Sequence, residues 1–388
     1  MIRLLLLLSL STLGTVLGFA GALPAAAVVM EHQGWGSGAI GVITGLVYAG
    51  VLCMVPFQPW VARRFNILWA YQTGSLFTGA GFIALSMAHS IWAWAGATFL
   101  IGLGAGLTWP VTDVLVASLA PADKKGTWTG LFQGSVGASF ALGPFIAAGL
   151  DPHDMFTAAA AFTLVPLLPL IGRQSAARMD SADCDAASLW RVAWLAPELP
   201  LLGFIGGFLE NGTQTAVTLS ALGLDWTEES AIALAGIIGI GALASQYPAG
   251  RLADSSCSRR VIGITLIIFT SSCLLLPLSG SMPSIYWGIA FVWGTAGGSI
   301  HTLSLTVMAQ RFSGARLLTA TTLMVIAYTA GGIAGPAIAG HAVSWSPVWG
   351  PMILFAAIAL LGLPRCSTAH QQPMSSSDLT TEVTPTLS

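Results

Sequence analysis

The chain has 388 residues, of which 55% are hydrophobic and only 8% are charged. A soluble fold is excluded, because a typical soluble domain contains roughly 25% charged residues and needs a polar surface that this composition cannot supply. Together with a mean hydropathy of +0.78, the composition predicts an all-α polytopic membrane protein. The net charge of -2 adds little, since the placement of the charges matters more than their sum.

The first six predicted spans are apolar runs of about 20 residues, long enough to cross a hydrocarbon core of roughly 30 Å. They cover residues 4–29, 36–55, 66–88, 90–119, 127–150 and 155–172. The first run begins after Arg3 and has the features of a signal peptide. The internal repeat described below requires it as a helix, so we expect no cleavage.

A polar stretch, residues 173–198, separates these spans from a second set of six and is expected to be a cytoplasmic linker. The second set covers residues 199–222, 229–250, 259–280, 284–310, 315–343 and 347–363. The sequence thus predicts an N-terminal bundle (1–172), the linker, a C-terminal bundle (199–364) and a disordered cytoplasmic tail (365–388). The five cysteines have neither metal-binding nor disulfide spacing, and no metal or cofactor is expected.

The basic residues set the orientation. With a cytoplasmic N-terminus, all 14 Lys and Arg residues fall on the cytoplasmic side, as the positive-inside rule requires. The opposite loops carry only acids: Glu31, Asp151, Asp154, Asp225, Glu228 and Glu229. We therefore predict a multi-pass protein of the cell (inner) membrane with both termini in the cytoplasm.

The two halves are related by an internal repeat. Gly143-Pro144 in span 5 recurs 192 positions later as Gly335-Pro336 in span 11. The same offset, without gaps, pairs Pro56 with Pro248, Gly102 with Gly294, Gly106 with Gly298, Lys124 with Arg316, and Ile40 with Ile232. Six spans per half with both halves starting inside predict two parallel six-helix bundles. The Gly-Pro pairs are expected mainly to let helices pack closely.

An ordered motif lies between spans 8 and 9. It consists of Pro248, Ala249, Gly250, Arg251, Leu252, Ala253 and Asp254, followed by Arg259 and Arg260. It resembles the G-x-L-A-D-R-x-G-R-R signature of the major facilitator superfamily. The alternative is an ordinary basic loop. With Gln246-Tyr247, Asp113 in span 4 and the Gly297–Phe312 region, the likeness extends to the YcaD-like branch.

This resemblance implies the superfamily fold of 12 transmembrane helices, a cytoplasmic gate and transport by alternating access. In the gate, Asp254 would accept hydrogen bonds from helix N-termini and arginines. The first half departs from the pattern, since Ala62 stands at the position equivalent to Asp254. The gate is therefore expected to depend on the second half. The Gly-Pro pairs look like an antiporter motif of the same superfamily.

Two carboxylates lie well inside the spans: Asp113 in span 4 and Glu210 in span 7. An ionisable residue in hydrocarbon is costly and suggests function. By the offset of 192 residues they correspond to Leu305 and Gly18, so both acids break the repeat that the glycines obey. We therefore predict a proton or substrate site at Glu210. Asp113 is either a second proton site or a brace of the cytoplasmic gate, and Glu210 could instead bond a neighbouring helix.

Other candidates surround these acids. Gln214 follows Glu210 at helical spacing, and Trp109 precedes Asp113. Span 10 carries Trp293 and His301 on one stripe, with His301 equivalent to Trp109 or else a packing histidine. Gln133 and Tyr328 are placed in cavity-lining helices by the resemblance. The remaining tryptophans are expected in interfacial belts: Trp92, Trp94, Trp345 and Trp349 outside, and Trp60 and Trp69 inside.

The predicted function is proton-coupled transport by a monomer, with Glu210 as the main coupling residue. The predicted spans hold no Lys or Arg in their cores, which favours a small neutral, cationic or amphiphilic substrate and efflux. Import of a neutral metabolite by proton symport is the alternative. The six histidines are scattered and the H-E-x-x-H and G-x-S-x-G motifs are absent, which argues against an enzyme. A receptor or assembly protein would need a larger soluble part, and no nucleic-acid partner is expected.

Overall fold

The computed structural model describes residues 2–119, 125–171, 186–253, 258–279, 282–312 and 314–367. Throughout these residues the regular structure is helical. The first half contains α1 (Ile2–His32), α2 (Ser37–Met54), α3 (Gln58–Arg64), α4 (Ile67–Ser86), α5 (Ile91–Leu119), α6 (Lys125–Ala148) and α7 (Asp154–Leu164). The second contains α8 (Ala186–Leu195), α9 (Glu198–Leu222), α10 (Glu228–Ala253), α11 (Ser258–Leu278), α12 (Pro283–Arg311), α13 (Gly314–Trp345) and α14 (Trp349–Ser367).

Twelve of these helices coincide with the predicted spans, while α3 and α8 are additional. By length and hydropathy alone, six described helices qualify to cross a membrane by themselves: α1, α2, α5, α10, α11 and α13. The others are shorter, more polar or interrupted. The result is the predicted all-α fold of two six-helix bundles.

Equivalent glycines make equivalent contacts in the two halves. Gly102 of α5 lies against the carbonyl oxygen of Val47 in α2, and Gly294 of α12 lies against that of Ile238 in α10. A Cβ at either glycine would overlap its neighbour. The missing side chain therefore permits close helix approach at both places. The repeat visible in the sequence is a repeat of packing.

The Gly-Pro pairs follow the same rule. Gly143 of α6 packs on Gly21 of α1, and Gly335 of α13 packs on Gly212 of α9. Both prolines lie inside their helices. Gly143 and Gly335 therefore each bring two helices of one bundle into close contact.

The sixth span ends earlier than predicted. The α-helix stops at Leu164, and a 3-10 turn at Leu168–Leu170 completes the segment. Pro166 and Pro169 explain the break, because proline has no backbone N–H and clashes with the preceding turn.

Part of the expected linker is helical. Helix α8 meets α9 at an angle of 96°, with Val192 and Ala196 buried against the ends of α12 and α13. On its other side, Trp190 and Trp194 are exposed. An apolar face and exposed indole rings are typical of a helix lying in the plane of a membrane interface.

One expected belt residue is instead internal. Trp94 is fully buried, packs on Phe156, and donates its indole N–H to Gln33 Oε1 at 2.9 Å. The prediction of an interfacial position was wrong, because Gln33 at the end of α1 offers an acceptor inside the bundle. Trp60, Trp69, Trp92, Trp345 and Trp349 are exposed, as a place in an interfacial belt would require.

The helix ends at which the loops carry only acids form what we call the acidic face. Near it the two halves touch along α2 and α13, where Gly41 meets Pro336 and Gly38 meets His341. A second seam joins α6 and α10, where Gly236 lies on the ring of Phe145. At the surface, His32 Nε2 lies 3.1 Å from a Glu228 carboxylate oxygen. The halves are therefore closed together at the acidic face.

Candidate functional site

A cavity of about 110 Å³ lies among the second-half helices and is covered by two helices of the first half. The second half supplies Leu209, Glu210, Thr213, Gln214, Ala235, Ile238, Gly239, Ala242, Leu243, Phe269, Trp293, Gly294, Gly297 and Gly298. The first half supplies Ala20, Gly137, Phe140 and Pro144. The several glycines among them leave the volume open, and the walls are mainly apolar.

Glu210 is the only ionisable side chain among the lining residues just given. It lies halfway along α9 and is half-buried. The hydroxyl of Tyr328, on α13, is a hydrogen-bond partner of its carboxyl group. A carboxyl group partly removed from water is stabilised by such a partner, and Tyr328 supplies it while Glu210 still borders the cavity.

Asn211, the next residue of α9, links the two halves. Its side-chain oxygen accepts a hydrogen bond from the hydroxyl of Tyr48 on α2. Its amide nitrogen donates to the carbonyl oxygen of Gly207 at 2.9 Å, and Tyr328 is a further side-chain partner. Tyr48, Asn211, Tyr328 and Glu210 therefore form one connected polar cluster, which we call the mid-membrane cluster.

The first half approaches this cluster with aromatic rings. The ring centroid of Trp109 lies 6.5 Å from that of Tyr48 and 5.9 Å from that of Phe19. One helical turn nearer the acidic face, the hydroxyl groups of Thr215 and Thr44 are 3.2 Å apart and hydrogen-bonded. The three rings all belong to the first half, whereas the bond between Thr215 and Thr44 joins α9 to α2 of the first half.

The structure thus brings together five of the eight predicted site residues. Glu210, Gln214 and Trp293 line the cavity, Tyr328 contacts Glu210, and Trp109 packs on Tyr48. The other three, Asp113, Gln133 and His301, have backbones within α5, α6 and α12, but their side chains lie outside the described part of the structure.

The predicted gating motif begins at the C-terminal end of α10, opposite the acidic face. Gly250 and Arg251 belong to the last turn of that helix, and Arg260 is exposed in the first turn of α11. Asp254 is outside the described residues, as are the side chains of Arg251 and Arg259. The role expected for this motif therefore remains a prediction.

Sequence reasoning missed Tyr48 and Asn211. A usable signal was present, since both are polar residues within predicted spans and both break the repeat. At the offset of 192 residues, Asn211 corresponds to Phe19 and Tyr48 to Ile240. Charge and helical spacing indicate only ionisable residues and their neighbours, so two uncharged polar residues on different halves were overlooked.

The sequence profile of the Major Facilitator Superfamily matches residues 8–209 and 199–375. The MFS-type transporter YfkF of Bacillus subtilis is 25% identical over 330 residues, covering 82% of this chain and 83% of that protein. The MFS-type transporter YcaD of Salmonella paratyphi B is 21% identical over 317 residues, covering 77% of this chain and 78% of that protein.

Two solved structures share the fold. The nucleoside transporter NupG superimposes with a TM-score of 0.78 at 13% identity, over 94% of this chain and 98% of that one. A D-xylose-proton symporter gives 0.70 at 12% identity, over 94% and 96%. With the profile matching both halves, the chain belongs to the major facilitator superfamily and is a multi-pass membrane protein of the secondary-transporter class.

Proposed function

We propose that this protein is a proton-coupled transporter that exports a small neutral, cationic or amphiphilic molecule. The observation that carries the proposal is Glu210, an acid halfway across the membrane that borders the cavity and is held by Tyr328. A carboxyl group there can take a proton from one side and release it to the other, once the cavity changes the side to which it opens.

The substrate class follows from charge. Glu210 is the one ionisable group in the described cavity wall, and an anionic substrate would meet a carboxyl group with no cation to offset its charge. Burying unpaired charges of like sign is unfavourable. Neutral and cationic molecules do not incur this cost, and the apolar walls favour those with hydrophobic surface.

Closure at the acidic face supports alternating access. We assign the acidic face to the outside of the inner membrane, with both termini in the cytoplasm, as the positive-inside rule requires. The structure would then represent a state closed to the outside, with the bundles 1–172 and 199–364 as the moving bodies. The motif from Gly250 to Arg260 would lock the opposite, cytoplasmic side in the other state.

Proton flux tests the proposal with a small panel of candidate substrates. Purified protein is placed in liposomes containing the pH dye pyranine, and uridine, D-xylose, ethidium or benzenesulfonate is added outside. We expect a neutral or cationic compound to make the lumen more alkaline, because antiport moves protons out as the compound enters. Acidification would instead indicate symport and import. A signal from benzenesulfonate alone would contradict the proposed substrate class.

The closed seam between α2 and α13 gives a second prediction. A leucine at Gly41 would collide with the backbone at Pro336 and Gly340, so Gly41→Leu should disfavour closure at the acidic face. In a cysteine-free background, we expect a cysteine placed at buried Thr215 to react about tenfold faster with an external maleimide, a shift of about 1.4 kcal/mol.

The matched control is Gly96→Leu, because Gly96 is exposed on α5 and a Cβ added there would meet no neighbouring atom. It should leave the labelling rate unchanged. Equal rates in the Gly41 and Gly96 variants would mean that the seam does not control access from this face.

A further inference from the structure

The cavity has aromatic rings on two sides. Phe140 of α6 lines it from the first half, while Phe269 of α11 and Trp293 of α12 line it from the second. The ring centroids of Phe269 and Trp293 are 5.7 Å apart, and Phe355 supports Trp293 from behind at 5.8 Å. Aromatic faces so arranged favour a flat ligand, which can stack on one ring and meet the edge of another.

Two buried polar atoms belonging to side chains of this wall have no hydrogen-bond partner within the protein. They are the side-chain oxygen of Gln214, on α9, and the indole nitrogen of Trp293. The indole can only donate, and the amide oxygen can only accept. The thiol of Cys273 lies near the indole, but sulfur is a weak acceptor and makes no bond of normal geometry here.

Buried polar groups are almost always paired, so two unpaired atoms on side chains that line the same cavity indicate what the cavity binds. An occupant that accepts from Trp293 and donates to Gln214 would satisfy both. The occupant must also be compatible with the carboxyl group of Glu210, the one ionisable group of the described wall. An anion is excluded because it would meet a group of like charge.

We propose that the cavity binds a small planar heteroaromatic molecule, neutral or cationic, that accepts a hydrogen bond from Trp293 and donates one to Gln214. This inference rests on the proposed function, in that the cavity is taken as the transport site. It adds the chemical class of the occupant and names two specificity-determining residues.

Binding of four probes of similar size tests this class. Benzimidazole and 7-azaindole each carry one N–H donor and one ring-nitrogen acceptor, placed on different edges in the former and on the same edge in the latter. Indole keeps only the donor, and 1-methylbenzimidazole keeps only the acceptor. By calorimetry in detergent, we expect at least one of the two-function probes to bind about tenfold tighter than either one-function probe, because a missing partner leaves a buried group unpaired.

Two variants then assign the contacts. Trp293→Phe keeps the aromatic face and removes the N–H, so it should weaken the better two-function probe and 1-methylbenzimidazole about tenfold and spare indole. Gln214→Leu should weaken the two-function probe and indole and spare 1-methylbenzimidazole. Trp92→Phe is the control, since Trp92 is exposed on α5, a helix that supplies none of the lining residues given above. This variant should alter no affinity.

The inference is overturned if no probe binds, if the two-function probes bind no better than the others, or if each variant weakens all four probes equally. Calorimetry needs no pH gradient, so this result is independent of proton coupling. A protein that shows the expected pattern but moves no protons would contradict only the proposed function. One that moves protons without the pattern would contradict only this inference.

Discussion

Glu210→Gln should abolish substrate-dependent proton movement in proteoliposomes while leaving the protein folded. The amide has nearly the shape of the carboxyl group and can still bond Tyr328, but it cannot bind and release a proton at neutral pH. The measurement is the pyranine signal produced by whichever compound is active with the natural protein. We expect the signal to fall to that of empty liposomes.

The matched control is Glu229→Gln, which removes an acid from the exposed first turn of α10. Its proton signal should equal that of the natural protein. If Glu210→Gln retained the full signal, Glu210 would not be the coupling residue, and its bond to Tyr328 would be structural. Asp113 would then be the remaining candidate among the acids within the spans.

Gly297→Leu should fill the cavity and reduce transport at least about tenfold, equivalent to about 1.4 kcal/mol of lost binding. A Cβ at this position would meet only the ring of Phe269, at 3.1 Å, and no backbone atom. The added side chain can therefore occupy the open volume without forcing helices apart. Initial rates of substrate-dependent pyranine response at several concentrations would show the loss.

The control for this variant lies on the same helix. Gly288 is exposed with no atom near an added Cβ. Gly288→Leu therefore makes the same glycine-to-leucine substitution in the same helix, but outside the cavity. We expect unchanged transport.

Gly294→Leu would not be a suitable test of the cavity. Its side chain would collide with the backbone of Ile238, and overpacking of that kind costs roughly 1–3 kcal/mol or more of stability. Equal rates in the Gly297 and Gly288 variants would show that the cavity is not on the transport path.

The fold was predictable because close helix packing in membranes requires small residues at particular positions in the sequence. Glycines such as Gly102 and Gly294 recur at one offset because each lets one helix backbone touch another, and the structure places both in equivalent contacts. Helix α8 was missed because ten residues near the membrane surface lack the length and hydropathy of a span. Trp94 was misplaced because its partner, Gln33, is 61 positions away in the sequence.

The candidate site was only partly predictable. Charge in an apolar helix revealed Glu210, and helical spacing from it gave Gln214. The bond between Tyr48 and Asn211 joins residues 163 positions apart, and it depends on how two bundles meet. Neither periodicity nor the repeat contains that information. The lack of a hydrogen-bond partner for the side-chain oxygen of Gln214 and the indole nitrogen of Trp293 can likewise be recognised only from the three-dimensional structure.

The bond from Tyr48 to Asn211 has a thermodynamic consequence. It crosses between the halves, and Asn211 shares Tyr328 with the carboxyl group of Glu210. Any separation of α2 from α9 breaks this bond and changes the environment of Tyr328. Linkage then requires reciprocity: the factor by which opening alters proton affinity at Glu210 equals the factor by which a bound proton alters the opening equilibrium. The conservative change Tyr48→Phe would weaken both effects together.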